Sequence, residues 1–395
     1  MDKKTIRDID VAGKRVLVRV DFNVPLDEKT SAITDDSRIR AAVPTIRYLI
    51  DQNAKVILCS HLGRPDGKVV PNLRLAPVGE LLSSLLGKPV AITSDCIGPE
   101  AETGSERLPE GGVLLLENLR FHPEEEKNDP TFAQSLARLA DVYVNDAFGT
   151  AHRAHASTVG VTQYLPAVAG FLMEKEISII GKAISDPARP FAVIVGGAKI
   201  SDKIALFEYL LDKVDVLLIG GGMACTFLKA KKYEVGRSLL EEDRLDFANS
   251  LVDRAQLKGV HLLLPVDVVI GDKFEADASS RTVSVDAVPA DWQIMDIGPQ
   301  TIERFEAELK PCKTVIWNGP VGVFEFPRFR KGTEAVAAIL ANLNATTIVG
   351  GGSTAEAVEE MGFVDRITHV STGGGATLRL LGGQTLPGLA ALLDK

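Results

Sequence analysis

The sequence predicts an α/β protein made of two doubly wound parallel β-sheets. Apolar strand candidates alternate with helical segments from one end of the chain to the other. The strand candidates are apolar at almost every position, as strands covered by helices on both faces of a sheet are. Four of them, all in the second half, end in a glycine cluster: FAVIVGGAK (191–199), VLLIGGGMA (216–224), TTIVGGGST (346–354) and HVSTGGGAT (369–377).

The remaining elements follow in order along the chain. The first half holds four strand candidates, KRVLVRVDF (14–22), AKVILCS (54–60), GVLLLENL (112–119) and DVYVNDAF (141–148). Between the first two, residues 37–52 space their apolar side chains as a helix does. The second half adds HLLLPVDVVI (261–270) and KTVIWNG (313–319) to the four glycine-ended candidates. The halves share this architecture without an evident sequence repeat.

The glycine clusters indicate turns that can hold a ligand. Glycine lets backbone N–H groups approach a ligand closely, and a helix start offers unpaired N–H donors with partial positive charge. A single turn of this kind often only reverses the chain. Four in one half of the chain favour a sheet edge shaped around phosphate groups.

The length of 395 residues fits two domains of ordinary size. We place the junction at Gly170–Asp186, where FLMEKEISIIGKAISD has helical spacing and leads into a strand flanked by Pro187 and Pro190. A helix that joins two domains accounts best for this segment. The alternative is an ordinary surface helix of one domain.

The bulk composition excludes several classes of protein. A net charge of −9 argues against nucleic acid or an anionic membrane as the main partner. The N-terminal sequence MDKKTIRDID has no apolar region of a secretory signal, and no apolar run reaches the ~18 residues of a membrane span. The four cysteines show no close pairing, which indicates neither a zinc site nor disulfides and fits a reducing cytosol.

Cationic and polar side chains follow the carboxyl ends of the first-half strands. In open parallel sheets, ligands bind at these strand ends. Each has an ordinary explanation alone, such as a surface salt bridge. Together they predict a pocket for a small ligand that bears phosphate and carboxylate groups. Two of the side chains would form hydrogen bonds with a hydroxyl group of that ligand. They are Asp21 and Asn23 (the hydroxyl pair), Arg38, His61, Arg64, Arg120, His152, Arg153 and His155.

Three charged motifs need separate interpretation. The stretch PEEEKND (123–129) is predicted to be a solvated loop. In GGAKISDK (196–203), Lys199 and Lys203 stand four residues apart on an incipient helix, which would direct both toward one phosphate ligand. The order of residues matches neither a Walker A loop nor a dinucleotide fingerprint. Glu325, just beyond the strand at 313–319, is either a ribose ligand or an ordinary surface acid.

The assembled motifs resemble the phosphoglycerate kinase family in order and nearly end to end. They are RVDFNVP (19–25), SHLGRP (60–65), ENLRF (117–121), NDAFGTAHRAHAST (145–158), GGAKISDK (196–203), WNGPVGVFE (317–325) and STGGGAT (371–377). The resemblance implies two Rossmann-like domains that face each other across a cleft, with the C-terminal tail returning to the first. The domains would then be 1–170 with 382–395, a linker helix at 171–186, and 187–381.

The resemblance also assigns roles. It implies that 3-phosphoglycerate binds in the first domain through Asp21, Asn23, Arg38, His61, Arg64, Arg120 and Arg153. It implies that MgADP or MgATP binds in the second through Lys203, Gly220, Gly221, Glu325, Gly350, Gly351, Gly352, Ser353 and Thr354. Arg38, Lys199 and the helix start at Gly373, Gly374 and Gly375 would surround the transferred phosphoryl group. It implies a monomer in the cytoplasm that interconverts 1,3-bisphosphoglycerate and ADP with 3-phosphoglycerate and ATP, in glycolysis, gluconeogenesis or carbon fixation.

The chemistry of such a transfer suits these residues. The acyl phosphate expels a carboxylate, and in the reverse direction that carboxylate is already an anionic nucleophile, so no strong general base is needed. The site then has to position the transferred phosphoryl group and neutralise its charge. Arg38, Lys199, Mg²⁺ and helix N-terminal amides would do both. Because the two ligands bind to different domains, we expect domain closure during catalysis.

Two positions depart from the family pattern. The third glycine turn normally continues with an aspartate that helps to hold the Mg²⁺, but here Ser353 follows. A hydroxyl is a weaker, uncharged magnesium ligand, so the metal would be held mainly through phosphates and water. Arg379 stands where an acid is common, which we interpret as surface variation.

Two other functions compete with a kinase. The first is a catalytically weak binding protein that closes around both ligands, for which Ser353 is the only motive; intact Lys199, Arg38 and Arg153 count against it. The second is a dehydrogenase of similar fold, which lacks its dinucleotide fingerprint here.

Overall fold

Residues 2–27 and 29–395 are described in a computed structural model, in which the chain forms two compact units. The first runs as far as Ser178 and includes Thr385–Lys395, and the second spans Ile179–Gln384. Each has a six-stranded parallel sheet with flanking helices, so the predicted fold class is confirmed. Among the described residues, no helix is long and apolar enough to cross a membrane.

The sheet of the first unit has the order β3-β4-β2-β1-β5-β6, all parallel. Its strands are β1 (Arg15–Arg19), β2 (Lys55–Cys59), β3 (Val90–Ile92), β4 (Val113–Leu115), β5 (Val142–Asn145) and β6 (Ala167–Ala169). Its helices are α1 (Ser37–Asp51), α2 (Ala76–Leu86), α3 (Pro99–Arg107), α4 (Pro123–Glu126), α5 (Pro130–Ala137) and the distant α14 (Pro387–Ala390). Apolar faces of α1 and α2 pack on the central strands. The sequence analysis did not predict β3 and β6, which have three residues each and lack the longer apolar run that surrounds the equally short β4.

Segments from both ends of the chain cover strand β6, at the edge of this sheet. Ile6 N donates to Ala169 O at 3.0 Å, and Leu393 N donates to Ala167 O at 3.0 Å. Earlier in the C-terminal segment, Gly388 N donates to Ala151 O at 2.8 Å. Residues 385–395 are therefore structurally part of the first unit.

The second unit contains two sheets. Its strands are β7 (Phe191–Val195), β8 (Val216–Ile219), β9 (His261–Leu263), β10 (Asp267–Gly271), β11 (Ser280–Ser284), β12 (Gln293–Ile297), β13 (Thr314–Asn318), β14 (Thr346–Gly350) and β15 (His369–Val370). The parallel sheet has the order β15-β14-β13-β7-β8-β9, and β11-β10-β12 form a small antiparallel sheet. The helices are α7 (Ile204–Leu210), α8 (Met223–Ala230), α9 (Leu245–Leu257), α10 (Pro299–Leu309), α11 (Lys331–Asn342), α12 (Gly352–Glu360) and α13 (Gly375–Leu381). The buried core, which includes Trp317 and Phe305, lies against the parallel sheet.

The prediction of one strand at 261–270 was wrong. The segment divides at Leu264–Val266 into β9, which ends the parallel sheet, and β10, the central strand of the antiparallel sheet. Pro265 lies at the division, and proline cannot donate a ladder hydrogen bond. The apolar side chains on both sides of it belong to different sheets.

Each parallel sheet reverses its strand order beside its first strand. The reversal lies between β1 and β5 in the first unit and between β7 and β13 in the second. Ligands of doubly wound sheets bind at the carboxyl ends of the strands at such a reversal. The segments that follow β1, β5, β7 and β13 are therefore the places to look for sites.

A single helix, α6 (Phe171–Ser185), contains the division between the units after Ser178. Its first turn is fixed within the first unit, because Asp146 Oδ1 accepts from Leu172 N at 2.8 Å and from Met173 N at 3.2 Å. Phe171 N donates to Thr45 Oγ1 at 2.9 Å. Burial raises the pKa of Asp146 to about 7, although the hydrogen bonds from Thr45 and the helix N–H groups oppose the shift.

Candidate functional site

Polar side chains beyond β1 and β2 form one hydrogen-bonded group. Arg38 Nη1 donates to Asp21 Oδ2 at 2.8 Å. Asn23 Oδ1 accepts from Gly63 N at 2.8 Å, while the Gly63 carbonyl accepts from Arg120 Nη1 at 2.9 Å. The loop at Gly63 therefore connects Asn23 with Arg120, and four of the predicted residues lie together.

His61 lies buried beside the guanidinium of Arg19, with Arg19 Nη2 3.1 Å from His61 Nδ1. A guanidinium can only donate hydrogen bonds, so Nδ1 is the acceptor and the ring carries its proton on Nε2. Burial, followed by the positive charges of Arg19, Arg120, Arg153 and Arg38, lowers the pKa of His61 well below its usual value. His61 is thus a neutral donor among cations and not a base.

Arg19 is a buried member of this group that the sequence analysis missed. Its Nε donates to Ser157 Oγ at 2.9 Å, and Ser157 Oγ donates to Glu125 Oε1 at 2.5 Å. Ser157 N donates to Glu125 Oε2 at 2.9 Å. Arg19 stands between Val18 and Val20 at the end of β1, and this arginine in an apolar run was the available signal, because such a residue must find a partner when it is buried.

The prediction that residues 123–129 form a solvated loop was wrong. Pro123–Glu126 is the short helix α4, and Glu125 is completely buried. Burial raises the pKa of Glu125, while Arg19 and the hydrogen bonds from Ser157 lower it. The acidic run is typical of solvent-exposed chain, and only the distant Arg19 and Ser157 make burial of this carboxylate possible.

The basic segment after β5 adds two members. Arg153 is half-buried, and its backbone is held by Thr158 Oγ1, which donates to Arg153 O at 2.8 Å. Burial, Arg120 and Arg153 lower the pKa of His155 to about 4. Arg64 is exposed, and within residues 2–27 and 29–395 no hydrogen bond or ion pair involves its side chain. The structure thus brings Arg153 to the group and leaves Arg64 unattached beside Gly63.

The turns after β7 and β13 pack backbone against backbone. Gly197 and Gly319 both have φ near +98°, in the region that favours glycine. A methyl group on Gly196 would collide with the carbonyls of Gly319 and Pro320. Larger residues would therefore separate these two turns.

Lys203 joins the same two turns from within. Its Nζ donates to Asn318 Oδ1 at 2.6 Å and to Asn318 O at 2.7 Å. Burial lowers the pKa of Lys203 to about 7, against a weaker opposing effect of Asp202. The predicted helical pair of lysines was wrong, since Lys199 is exposed in a bend and Lys203 ends a separate 3₁₀ turn, Ser201–Lys203.

Asn318 is a second residue that the sequence analysis missed. Its Nδ2 is buried and has no hydrogen-bond partner among the described residues, and it lies 3.3 Å from the position that a methyl group on Gly351 would occupy. Thr354 Oγ1 accepts from Gly319 N at 2.8 Å. The turn at Gly350–Gly352 is therefore bound to β13, with an unused donor directed at it.

The two other glycine turns differ in their role. Gly221 (φ +67°) lies against Gly197 and Pro320, where a methyl group would come within 2.7 Å of backbone atoms, and Gly220 packs on Val321. At the last turn, Gly373 N donates to Ser371 Oγ at 3.1 Å, Gly374 has φ +48°, and Gly375 begins α13. The turn at 220–221 lets neighbouring backbone segments pack closely, and the turn at 373–375 leads into the N-terminus of α13.

A cavity of about 570 Å³ lies beside these turns in the second unit. Its walls are largely apolar, and its polar lining residues include Glu325, Ser353 and Asp296. Glu325 and Ser353 are exposed, whereas burial raises the pKa of Asp296 to about 7 against hydrogen bonds from Gly332 N and Ile297 N. Other lining residues are Gly197, Ala198, Gly221, Gly222, Leu228, Leu239, Phe274, Met295 and Val321. An apolar slot with few polar points is typical of a small-molecule site.

The comparison with protein families shows to which family the chain belongs. The family model described as phosphoglycerate kinase matches residues 6–384. The chain belongs to the phosphoglycerate kinase family. This confirms the resemblance stated from the motifs, and it makes the chain a phosphotransferase.

Full-length relatives agree with membership of the phosphoglycerate kinase family. The chain is 58% identical to the phosphoglycerate kinase of Moorella thermoacetica and 60% identical to that of Thermosynechococcus vestitus, with 100% of each chain covered in both cases. Among solved structures, the phosphoglycerate kinase of Coxiella burnetii matches with a TM-score of 0.88 at 41% identity, and that of Pyrococcus horikoshii OT3 with 0.83 at 33%. Each covers 98% of both chains.

Proposed function

We propose that the chain catalyses reversible phosphoryl transfer between 1,3-bisphosphoglycerate and ADP, giving 3-phosphoglycerate and ATP. The proposal rests on the difference in chemistry between the sites at the two strand reversals. The first unit has clustered guanidinium groups around a neutral histidine, and the second has a glycine-walled apolar cavity beside a buried lysine. The family membership of the full chain supports the same reaction.

The cationic group of the first unit suits 3-phosphoglycerate. Arg38, Arg120 and Arg153 offer planar donors for phosphate and carboxylate oxygens, and His61 offers its Nε2 proton. Asp21 and Asn23, which are already ordered by Arg38 and Gly63, suit the substrate hydroxyl. The exposed Arg64 completes the proposed set. Arg19 is a positioning residue, because it fixes the tautomer of His61.

The cavity of the second unit suits the nucleotide. Its apolar walls match a purine base, and Glu325 at its edge can accept hydrogen bonds from ribose hydroxyls. The turn at 220–221 would line the base, and the phosphates would lie along the turn at 350–354, within reach of Lys203 and the unused Nδ2 of Asn318. Lys199 and the amides of 373–375 are proposed to face the phosphoryl group in flight.

The cavity has donors that fit a hydrated magnesium ion with its nucleotide. Ser353 and Glu325 both line it, and each offers an exposed oxygen. When bound, the Mg²⁺ neutralises phosphate charge. The chain's own residues supply the rest: Arg38 and Lys199 orient the phosphoryl group, and the apolar walls restrict water. A carboxylate is the nucleophile or leaving group, so no residue has to act as a strong base.

The domain assignment remains part of the proposal. We take 1–170 with 382–395 as the 3-phosphoglycerate domain, 187–381 as the nucleotide domain, and the helix at 171–186 as their connection. Since the two ligands bind to different units, transfer requires them to come together by domain closure. The chain is proposed to act as a monomer in the cytoplasm, with no nucleic acid or membrane partner.

A coupled assay tests the function directly. Purified chain is given ATP, Mg²⁺ and 3-phosphoglycerate, and 1,3-bisphosphoglycerate is followed by its reductive consumption. Turnover that requires all three components is expected. Binding of both ligands by calorimetry without turnover would establish the alternative, a closing binding protein of the same fold.

Changing Ser353 to aspartate is expected to lower the Mg²⁺ concentration that gives half-maximal rate. A carboxylate is a stronger magnesium ligand than a hydroxyl, and an acid in the first turn of α12 is favourable to the helix dipole. The measurement is initial rate against free Mg²⁺ at fixed ATP, with Ser353→Asn as a control of similar size without charge. An unchanged Mg²⁺ dependence in Ser353→Asp would mean that this position does not limit metal binding.

Nucleotide binding at pH 8 is expected to take up close to one proton. The pKa of Lys203 is about 7 without ligand, so its amine is mostly neutral at pH 8. A neighbouring phosphate favours the charged form and raises that pKa, so the complex holds the proton. Calorimetry of MgADP binding in buffers of different ionisation enthalpy measures the uptake, and Lys203→Met should abolish it. Binding enthalpies independent of the buffer at pH 8 would refute the assignment.

A further inference from the structure

Three potential metal ligands meet in the first unit, away from the residues assigned above. They are Asp95, Cys96 and His122, and one ligand atom from each lies within 4.8 Å of the others. His122 Nε2 is 2.6 Å from Asp95 Oδ1. Cys96 is fully buried, whereas the side chains of His122 and Asp95 are 26% and 48% exposed. The sulfur thus forms the floor of the cluster, and the nitrogen and oxygen form its solvent side.

We propose that Asp95, Cys96 and His122 bind a thiophilic divalent cation such as Zn²⁺. Thiolate, imidazole and carboxylate are the three ligand types of protein zinc sites, and three protein ligands with a water in the fourth position is a common arrangement. The half-exposed Asp95 leaves solvent access for that water. A sulfur ligand selects against Mg²⁺ and Ca²⁺, which prefer oxygen.

Neighbouring groups hold the Asp95 segment and the His122 ring in place before an ion arrives. Thr93 Oγ1 donates to Asp95 O at 2.7 Å, and Cys96 N donates to Asp95 Oδ1 at 2.6 Å. The His122 ring packs on Phe132 with centroids 5.3 Å apart. Such supporting contacts orient ligands and raise metal affinity. On binding, His122 would coordinate through Nε2 and keep its ring proton on Nδ1, the ion would take the place of the hydrogen bond between His122 and Asp95, and Cys96 would release its thiol proton to solvent.

The ion would connect two loops of the sheet edge. Asp95 and Cys96 lie between β3 and α3, and His122 lies between the 3₁₀ turn Leu119–Phe121 and α4. That turn carries Arg120, a proposed substrate ligand. The ion is therefore expected to stabilise the first unit and to order the segment that precedes buried Glu125, without a direct part in phosphoryl transfer.

The test is a titration of the full chain, freed of metal by a chelator and without nucleotide. Zn²⁺ is followed by calorimetry with excess Mg²⁺ present, and Co²⁺ by absorption. One strong equivalent is expected, with a thiolate-to-cobalt charge-transfer band and the intense visible bands of a tetrahedral site. Absence of the charge-transfer band, or loss of the strong equivalent in excess Mg²⁺, would overturn the proposal.

Variants locate the ion. Cys96→Ser should abolish the charge-transfer band, and Cys96→Ser, Asp95→Asn and His122→Gln should each weaken Zn²⁺ binding at least about 100-fold, more than loss of a supporting contact does. Matched controls are Cys312→Ser and His261→Gln, a buried thiol and an exposed imidazole of the second unit, which should leave binding unchanged. Because Asp95 is half-exposed, Asp95→Asn should fold even if Cys96→Ser does not. Unchanged affinity in Asp95→Asn and His122→Gln would place the ion elsewhere and refute the site.

Discussion

Replacing Lys199 with alanine is expected to lower kcat about 100- to 1,000-fold while KM for ATP changes little. Lys203 Nζ already donates two hydrogen bonds, to Asn318 Oδ1 and Asn318 O, at the junction of two turns. Lys199 is exposed in the bend directly after Gly197 and Ala198, which line the cavity. Its charge is therefore available to a phosphoryl group that leaves the nucleotide.

The hydrogen bonds that hold the backbone beside Lys199 do not involve the Lys199 side chain. Glu241 Oε2 accepts from Ile200 N at 2.6 Å and from Ser201 N at 3.3 Å. Truncation at Lys199 should thus leave the turn and the cavity intact, which separates rate from binding. Steady-state kinetics and MgADP calorimetry on Lys199→Ala measure both, with the exposed Lys231→Ala as the control. Equal losses of kcat and nucleotide affinity would show that Lys199 only binds nucleotide.

The second large effect is expected at Arg38, where even lysine should lower kcat about 100-fold. Arg38 Nη1 is held by Asp21 Oδ2 at 2.8 Å, and the other N–H groups of the planar guanidinium can bridge substrate and phosphoryl oxygens. An ammonium can keep the contact with Asp21 or reach the ligand, but it cannot do both in a fixed plane.

Arg40 on the same helix provides the control for Arg38. Its Nε also lies 2.8 Å from a carboxylate, Asp36 Oδ1, but its side chain is 61% exposed. An exposed pair of this kind contributes little to stability, so Arg40→Lys should keep both kcat and thermal stability. If Arg38→Lys retained kcat within about threefold of the unchanged chain, the bridging role of Arg38 would be refuted.

The sequence predicted what depends on local pattern. The family, the fold class and the main strands are confirmed, because strand apolarity, glycine turns and ordered motifs are visible in short windows. The roles of the site residues stay predictions. Asp21 and Arg38 both lie in the segment that follows β1, since Arg38 is in the first turn of α1, which explains why a rule about sheet edges was enough to group them.

The omissions at the site involve partners that are distant in sequence, whereas the strand at 261–270 and the lysine pair failed for local reasons. Burial of Glu125 depends on Arg19, which is more than a hundred residues away from the Ser157 that links them. Asn318 meets Lys203 from another strand, and the helical pairing of Lys199 with Lys203 failed because a separate turn intervenes. Local charge and spacing carry no information about such contacts, whereas an arginine between two valines, as at Arg19, does signal that one exists.

The covalent order of the first unit has a consequence for its synthesis. All of the second unit, Ile179–Gln384, is made before Thr385–Lys395 can join the first. At 5–20 residues per second this interval lasts roughly 10 to 40 s. Throughout it, the Ala167 carbonyl at the edge of β6 lacks the N–H of Leu393, and the Ala151 carbonyl lacks that of Gly388. Until then the nascent first unit has a sheet edge that only its N-terminal segment covers, and the uncovered part is open to wrong pairing with a neighbour.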